Sequence, residues 1–407
     1  MKILFISQYY PPETGAASNR IGYFAQFLAK KDHTVSVLTT TPNYPEGKVY
    51  DGYKNKFSAK NENGVTVYRT KIFLSTKKNV LSRLAHYVSF IISSFFIKHR
   101  IPKPDVVIAS SPPLFVGIIG VIFKKLWHVP FILDIRDLWP ESVESVGAVK
   151  NKKLLRQAEK LAHWIYKNAD HITVTSPGIQ KKLTSQRLKI LPAISIIPNG
   201  AELDLFKPDI SGSQIRHTWN LGKNFVVLYT GNLGLAQAPE IFIKTAEILK
   251  KHTDISLLIV GAGVLLEKLQ IQATKKSLKN IIFTGNQPRS KMPHFVAAAD
   301  ICIIPYKAAD TFRNTFPSKM FDYMAGARPI IINLKGEASE LIDQAKCGVL
   351  AKEEDPQDLA THILKLKEDE QLKEKLGISG KNFVEENYRR EIIAVNLGNV
   401  IIKACNR

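Results

Sequence analysis

Short apolar runs that end in a small or glycine-containing loop and lead into an amphipathic helix recur along the whole chain, and no other feature restricts its fold so strongly. KILFIS, TVSVLTT, DVVIASS, FILDI, ITVTS and ISII are such runs in the first half; FVVLYTG, ISLLIVG, NIIFTG, ADICIIP and PIIINL follow in the second. Apolar runs of this length read as strands buried on both faces, and strands that alternate with helices make βαβ units and a parallel sheet. The alternation pauses at the polar stretch DISGSQIRHTWNLGKN and then restarts. At 407 residues the chain also exceeds what one hydrophobic core usually covers. The pattern therefore predicts two doubly wound α/β domains facing one cleft, an N-terminal domain over residues 1–205 and a C-terminal domain over 206–387. The last helix, about 388–407, either closes the second domain or crosses back to the first.

Several function classes drop out at once. No GxGxxG follows the first strand, which argues against a nicotinamide dinucleotide site. Cys302, Cys347 and Cys405 lie far apart with no metal-ligand spacing, so no metal site is expected and a reducing cytosol fits. The apolar core of MKILFISQYY is too short for a secretory signal and reads as the first strand.

Charge is more informative. Residues 1–200 hold 29 Lys and Arg against 12 Asp and Glu, while 201–407 hold 28 against 24, so most of the net +21 sits in the first half. A basic half is matched to something anionic: nucleic acid, a phosphorylated substrate or an acidic membrane surface. Within it, VLSRLAHYVSFIISSFFI, residues 80–97, places Ser82, His86, Ser89 and Ser93 at helical spacing and leaves a broad apolar face. The run contains Arg83 and His86 and is flanked by Lys77, Lys78, Lys98 and Arg100. It reads as a helix resting in a membrane interface, with a helix buried in the first domain as the alternative. A full span needs about 20 apolar residues and fits less well.

Two stretches carry candidate chemistry. In DTFRNTFPSKMFDYMAGARP, residues 310–329, Pro317 can begin a helix and Ser318 or Thr315 can cap it. The free first-turn amides and Lys319 beside them form a phosphate seat, with the carboxylate of Asp322 about one turn on. The second stretch is FILDIRDLWPES, where Asp134, Arg136 and Asp137 cluster at the carboxyl end of a strand, the edge at which open parallel sheets bind ligands. A structural Arg–Asp pair is the alternative reading there. Gly15, where the first loop turns into a helix, and the strand-ending glycines Gly231, Gly261 and Gly285 put flexible turns along the sheet edges.

Taken together, IPNGAELDLFKP, YTGNLG, VGAG, TGNQPR, ADICIIPY and PSKMFDYMAGARP occur in the order and spacing of family 4 retaining glycosyltransferases, whose fold is GT-B, two Rossmann-like domains. The resemblance covers essentially the whole chain. PPETGAASNR and DIRDLWPES make it closest to the WbuB-like and WcaI-like branch of bacterial surface polysaccharide synthesis.

The resemblance implies a nucleotide-sugar bound mainly by the C-terminal domain and an acceptor bound mainly by the N-terminal one. The two donor-site glutamates of many members fall here on Asn314 and Asp322, so Asp322 is assigned to the ribose and the backbone around Phe316 to the sugar. The arginine and lysine that hold the diphosphate in many members fall near Asn232 and Gln237, which leaves Lys319 and the amides of Ser318 and Lys319, helped by Arg289 or Arg136. Gly15 and Gly261 join the donor set, and Arg136 or Asp137 stands near the place of a family histidine. Lys319, Arg136 and Asp137 are thus the expected catalytic residues.

The implied reaction is a retaining, metal-independent transfer of an N-acetylated amino or deoxyamino sugar from a UDP-sugar, a substrate rather than a cofactor. The implied acceptor is a polyprenyl-diphosphate-linked sugar in O-antigen (lipopolysaccharide) or capsule synthesis, and the enzyme would sit as a peripheral, monotopic protein on the cytoplasmic face of the inner membrane. A non-hydrolysing UDP-sugar epimerase of the same architecture is the runner-up. A basic nucleic-acid-binding protein stands last, because no nucleic-acid-binding motif accompanies the charge.

Overall fold

A computed structural model describes residues 1–76, 80–147, 149, 151–185, 191–207 and 209–406. Lys77 and Lys78, expected to flank the apolar helix, lie outside the described residues. The chain divides into two compact units, Met1–Pro198 with Glu391–Arg407, and Asn199–Arg390. The division falls a few residues before the boundary read near 206. IPNGAELDLFKP straddles that boundary, and its residues Glu202 and Phe206 seat a side chain of the second unit, Arg289. The last helix, Arg390–Cys405, belongs from Glu391 onward to the first unit, and its Gly398 lies against Leu28.

The first unit is built on an eight-stranded sheet. Its strands are β1 (Lys2–Ile6), β2 (Thr34–Thr40), β3 (Ser58–Glu62), β4 (Val65–Thr70), β5 (Val106–Ser111), β6 (Phe131–Ile135), β7 (His171–Val174) and β8 (Ala193–Ile196), in the order β3-β4-β2-β1-β5-β6-β7-β8. All pairs are parallel except β3–β4, a hairpin turning at Asn63 and Gly64. The outer strand of this hairpin, SAKNE, is a polar edge strand and carries no apolar alternation to reveal it in the sequence.

The second unit holds β9 (Phe225–Thr230), β10 (Ile255–Val260), β11 (Ile281–Gly285), β12 (Ile301–Ile304), β13 (Ile330–Ile332) and β14 (Gly348–Leu350), all parallel, in the order β11-β10-β9-β12-β13-β14.

Why these runs form central strands is plain from what they bury. Leu4, Ile6, Val107, Leu133 and Ile135 in the first core and Val227, Leu257, Ile259, Ile303 and Ile331 in the second are at most 1% exposed. Each such side chain stabilises by roughly 1.5–3 kcal/mol relative to exposure. Both sheets are doubly wound, and in each the strand order reverses once: between β1 and β5 in the first unit, between β9 and β12 in the second. Loops leave such neighbouring strands in opposite directions, which opens a crevice at their carboxyl ends.

Candidate active site

At the β9/β12 switch the residues gather as follows. Helix Ser318–Ala325 starts at Pro317, whose φ of −60° suits the turn into it. Neither Ser318 nor Thr315 caps it. Ser318 is its first helical residue, Thr315 Oγ1 donates to the Phe312 carbonyl, and no side chain accepts from the first turn. The expectation of a side-chain cap is therefore corrected, and the consequence is that no capping side chain takes up the donors of the amides at the start of this helix.

Lys319 Nζ stands 3.8 Å from the centroid of the Tyr229 ring and beside Gly231, where a Cβ would come within 2.8 Å of it. Among the described residues no carboxylate pairs with this ammonium, and burial lowers its pKa to about 7. It is a cation placed where a charge of opposite sign is missing.

Glycine is required on the loops beside it. Gly261 has φ 146°, and a Cβ there would lie 1.8 Å from the carbonyl oxygen of Gly231. After Gly231, Asn232 Nδ2 and Gln237 Oε1 converge on Gly234, where a Cβ would meet them at 2.6 and 3.1 Å. Gln237 Oε1 is buried and has no hydrogen-bond partner among the described residues, so it is an acceptor turned toward this crevice's own loop with nothing to accept from.

Other expected donor residues behave differently. Arg289 is committed to Asp322: Nη1 reaches Oδ2 at 2.6 Å and Nη2 reaches Oδ1 at 3.0 Å, a bidentate pair. Its Nη2 also donates to Glu202 at 2.9 Å, and its guanidinium lies 4.6 Å over the Phe206 ring. Burial opposes that charge, but Asp322 and Glu202 outweigh it and raise the Arg289 pKa. Glu202 is shared with Arg390, which also donates to the carbonyls of Asn199 and Gly200. Asp322 thus keeps its acceptor lone pairs only in the directions Arg289 leaves open. Asn314 ends a short helix and donates to the Asp310 carbonyl at 3.1 Å. Phe316 is buried edge-on to Phe321 and Tyr388, which fixes the backbone just ahead of Pro317.

In the first unit, Gly15 takes φ 137° at the N-terminus of helix Ala16–Ala29, with open space around its missing Cβ. The FILDIRD cluster separates into two roles. Asp134 is a buried structural carboxylate that receives Arg20 Nε at 3.1 Å and Nη2 at 2.9 Å, Ser110 Oγ at 2.9 Å and Thr173 Oγ1 at 2.8 Å. Burial would raise its pKa, yet Arg20 holds it below the usual carboxylate range. Arg20 was not foreseen; an aspartate inside an otherwise apolar strand was the signal, since it demands a buried cation.

Arg136 donates through Nε to Ser110 Oγ and through Nη2 to the Pro112 carbonyl, and burial lowers its pKa. Asp137 makes no hydrogen bond among the described residues, and burial raises its pKa, only partly offset by Arg136. Among the described residues no cluster of three or more His, Cys, Asp or Glu could hold a metal ion.

Two family models match this chain in succession: "Glycosyl transferase 4-like domain" over residues 15–200 and "Glycosyl transferases group 1" over residues 213–383. The chain belongs to the family 4 glycosyltransferases. Among relatives, the putative colanic acid biosynthesis glycosyl transferase WcaI of Escherichia coli K12 is 28% identical over 335 residues, 80% of this chain and 81% of its own. The putative teichuronic acid biosynthesis glycosyltransferase TuaH of Bacillus subtilis 168 is 28% identical over 212 residues, 49% of each chain.

Solved glycosyltransferases share the two-domain GT-B fold. Sucrose-phosphate synthase of Thermosynechococcus elongatus superposes with a TM-score of 0.79 at 17% identity, covering 99% of this chain and 98% of its own. Anabaena Alr3699/HepE in complex with UDP-glucose superposes at 0.72 and 18% identity, covering 99% and 100%. The enzyme is a glycosyltransferase of GT-B fold.

Proposed function

We propose that this glycosyltransferase moves a sugar from a UDP-sugar to a polyprenyl-diphosphate-linked sugar, with retention and without a metal, in surface polysaccharide synthesis. The observation that carries the donor half is Lys319: an ammonium without a carboxylate partner among the described residues, beside the uncapped amides of Ser318 and Lys319 and against Gly231. As the bond from the anomeric carbon to the diphosphate oxygen breaks, negative charge grows on the leaving nucleoside diphosphate. Fixed donors aimed at that charge lower the barrier. The acceptor hydroxyl attacks from the same face, its oxygen bonding to the anomeric carbon while its proton passes to a phosphate oxygen. Lys319 supplies the positive field here, and in this reading excess chelator leaves the rate unchanged.

UDP as the carrier is supported by the solved neighbour that holds UDP-glucose, and polysaccharide synthesis by the names of WcaI and TuaH. Asp322, with Arg289 holding it, is the ribose acceptor in this reading. N-acetylated amino or deoxyamino sugars are the expected donors.

The acceptor half rests on helix Val80–Ile97, which turns its polar stripe inward. Ser89 Oγ accepts from Phe73 N at 2.8 Å, Ser93 Oγ donates to the Lys71 carbonyl at 2.5 Å, and His86 Nδ1 meets the Phe73 carbonyl at 2.8 Å. The apolar side is left outward, with Leu81 77%, Phe96 74% and Ile92 50% exposed. By length and composition alone this helix could cross a membrane, and little of it is buried in its unit. An apolar face with Arg83, Lys98 and Arg100 at its margins suits the plane of an anionic interface on the cytoplasmic side, where each basic residue contributes about 1 kcal/mol.

A thermal-shift screen over UDP-, GDP- and ADP-sugars tests the donor assignment. UDP-sugars are expected to stabilise the wild type and not Lys319→Ala; stabilisation of that variant to the same degree would remove Lys319 from the donor site.

A further inference from the structure

Five aromatic side chains from five separate elements lie around the β1/β5 switch of the first unit, in two contacting groups. Tyr9 follows β1, Tyr44 follows β2, Phe115 follows β5 and Trp139 follows β6, all at the carboxyl edge of the sheet, and Tyr87 comes from helix Val80–Ile97. Tyr9 and Tyr44 lie 4.9 Å apart between centroids. Tyr87 stacks on Phe115 at 5.3 Å and meets Trp139 edge-on at 6.5 Å. All five remain partly open to solvent, unlike the core rings Tyr10, Phe5 and Phe131 of the same unit.

Glu13 holds two of the loops together. Its Oε1 accepts from the amides of Asn43 and Tyr44 at 2.8 and 2.9 Å, and its Oε2 from that of Tyr10 at 3.3 Å.

The polar groups here are unspent. Among the described residues, the hydroxyls of Tyr9, Tyr44 and Tyr87 and the carboxylate of Asp137 make no hydrogen bond, and Arg136 leaves Nη1 without a partner. A core site fills such groups; this one leaves hydroxyls, a carboxylate and a guanidinium around aromatic faces. That is the chemistry a pyranose needs. Its C–H faces lie on rings while its hydroxyls and acetamido group find donors and acceptors at the rim, and a diphosphate attached to it finds Arg136 and the exposed Arg83.

We infer that these rings form the subsite for the acceptor's sugar, contiguous with the outward apolar helix that would carry its prenyl chain. Resting on the reading of a lipid-linked acceptor above, it adds which residues recognise the sugar. Tyr87 has a double position, on the helix that meets the lipid and against Phe115 and Trp139, so sugar and chain are read from one element.

Binding, not turnover, tests this most cleanly. The probe is farnesyl diphosphate carrying one N-acetylglucosamine, with plain farnesyl diphosphate as its control, titrated by tryptophan fluorescence and saturation-transfer NMR. Wild type and Lys319→Ala are expected to bind the glycosylated probe equally. Tyr9→Phe and Tyr44→Phe, which remove only hydroxyls, should weaken it several-fold, and Tyr87→Ala at least tenfold, with affinity for plain farnesyl diphosphate changed much less. Wild-type affinity in all three tyrosine variants overturns the subsite, as does an equal loss for both probes, which would make the rings a lipid contact. If the sugar-dependent loss is seen while no donor yields glycolipid, the subsite stands and the proposed reaction falls.

Discussion

Lys319 places an ammonium against the Tyr229 ring and the Gly231 loop with no carboxylate among the described residues to balance it, and burial brings its pKa down to about 7. In the proposed function a nucleoside diphosphate supplies the missing charge, so its binding would favour the protonated form. The sign follows from linkage: below about pH 7 the amine is already charged, and above it the protein takes up a proton on binding. UDP affinity should therefore fall as pH rises from about 7 to about 9, approaching tenfold per unit. Calorimetry in buffers of different ionisation enthalpy measures that uptake, and a flat profile would contradict it. Lys319→Ala should keep the fold and lower turnover by about 10²–10³-fold.

Lys319 and Asp322 could be singled out in the sequence as candidates, because a Pro-Ser-Lys helix start and a carboxylate one turn on are local. The partners that set the state of such residues could not. Arg289 meets both Asp322 and Glu202, and Arg20 meets Asp134, across long sequence separations that only the folded sheets close.

At the scale of elements, the turns at the carboxyl ends depend on glycine to unequal degrees. Gly261 packs on the Gly231 backbone, whereas Gly15 has a comparable φ but nothing within 4 Å of a Cβ. Gly261→Ala should cost on the order of 1–3 kcal/mol or more, and Gly15→Ala distinctly less. Urea denaturation of both compares them, and equal losses would mean that φ alone sets the cost. Helix Val80–Ile97 was legible as an amphipathic helix, but its orientation was not. Spacing shows which residues share a face; that the serine stripe turns inward follows from the carbonyls and amides of Lys71 and Phe73 awaiting it. Replacing Leu81, Ile92 and Phe96 with serine should release the protein from anionic vesicles with little change in stability, as these side chains are exposed. Undiminished co-sedimentation would argue against interfacial docking by this helix.

For the whole molecule, the doubled βαβ pattern made two parallel-sheet domains readable, because strands buried on both faces are apolar on every position. The unit boundary and the edge strand β3 were not readable, since polar, turn-rich segments look alike whether they link, pair or bind. The charge asymmetry belongs to this scale too: the excess of Lys and Arg in residues 1–200 accompanies the outward apolar helix, and in the proposed function the two together meet an anionic membrane that presents the acceptor. The most direct measurement is transfer itself, with purified protein, radiolabelled UDP-N-acetylhexosamines and a polyprenyl-diphosphate-linked sugar in anionic vesicles. UDP release that depends on the acceptor, together with a labelled glycolipid whose new linkage keeps the donor's anomeric configuration, is the predicted result. No acceptor-dependent UDP release and no glycolipid from any UDP-sugar would contradict the account.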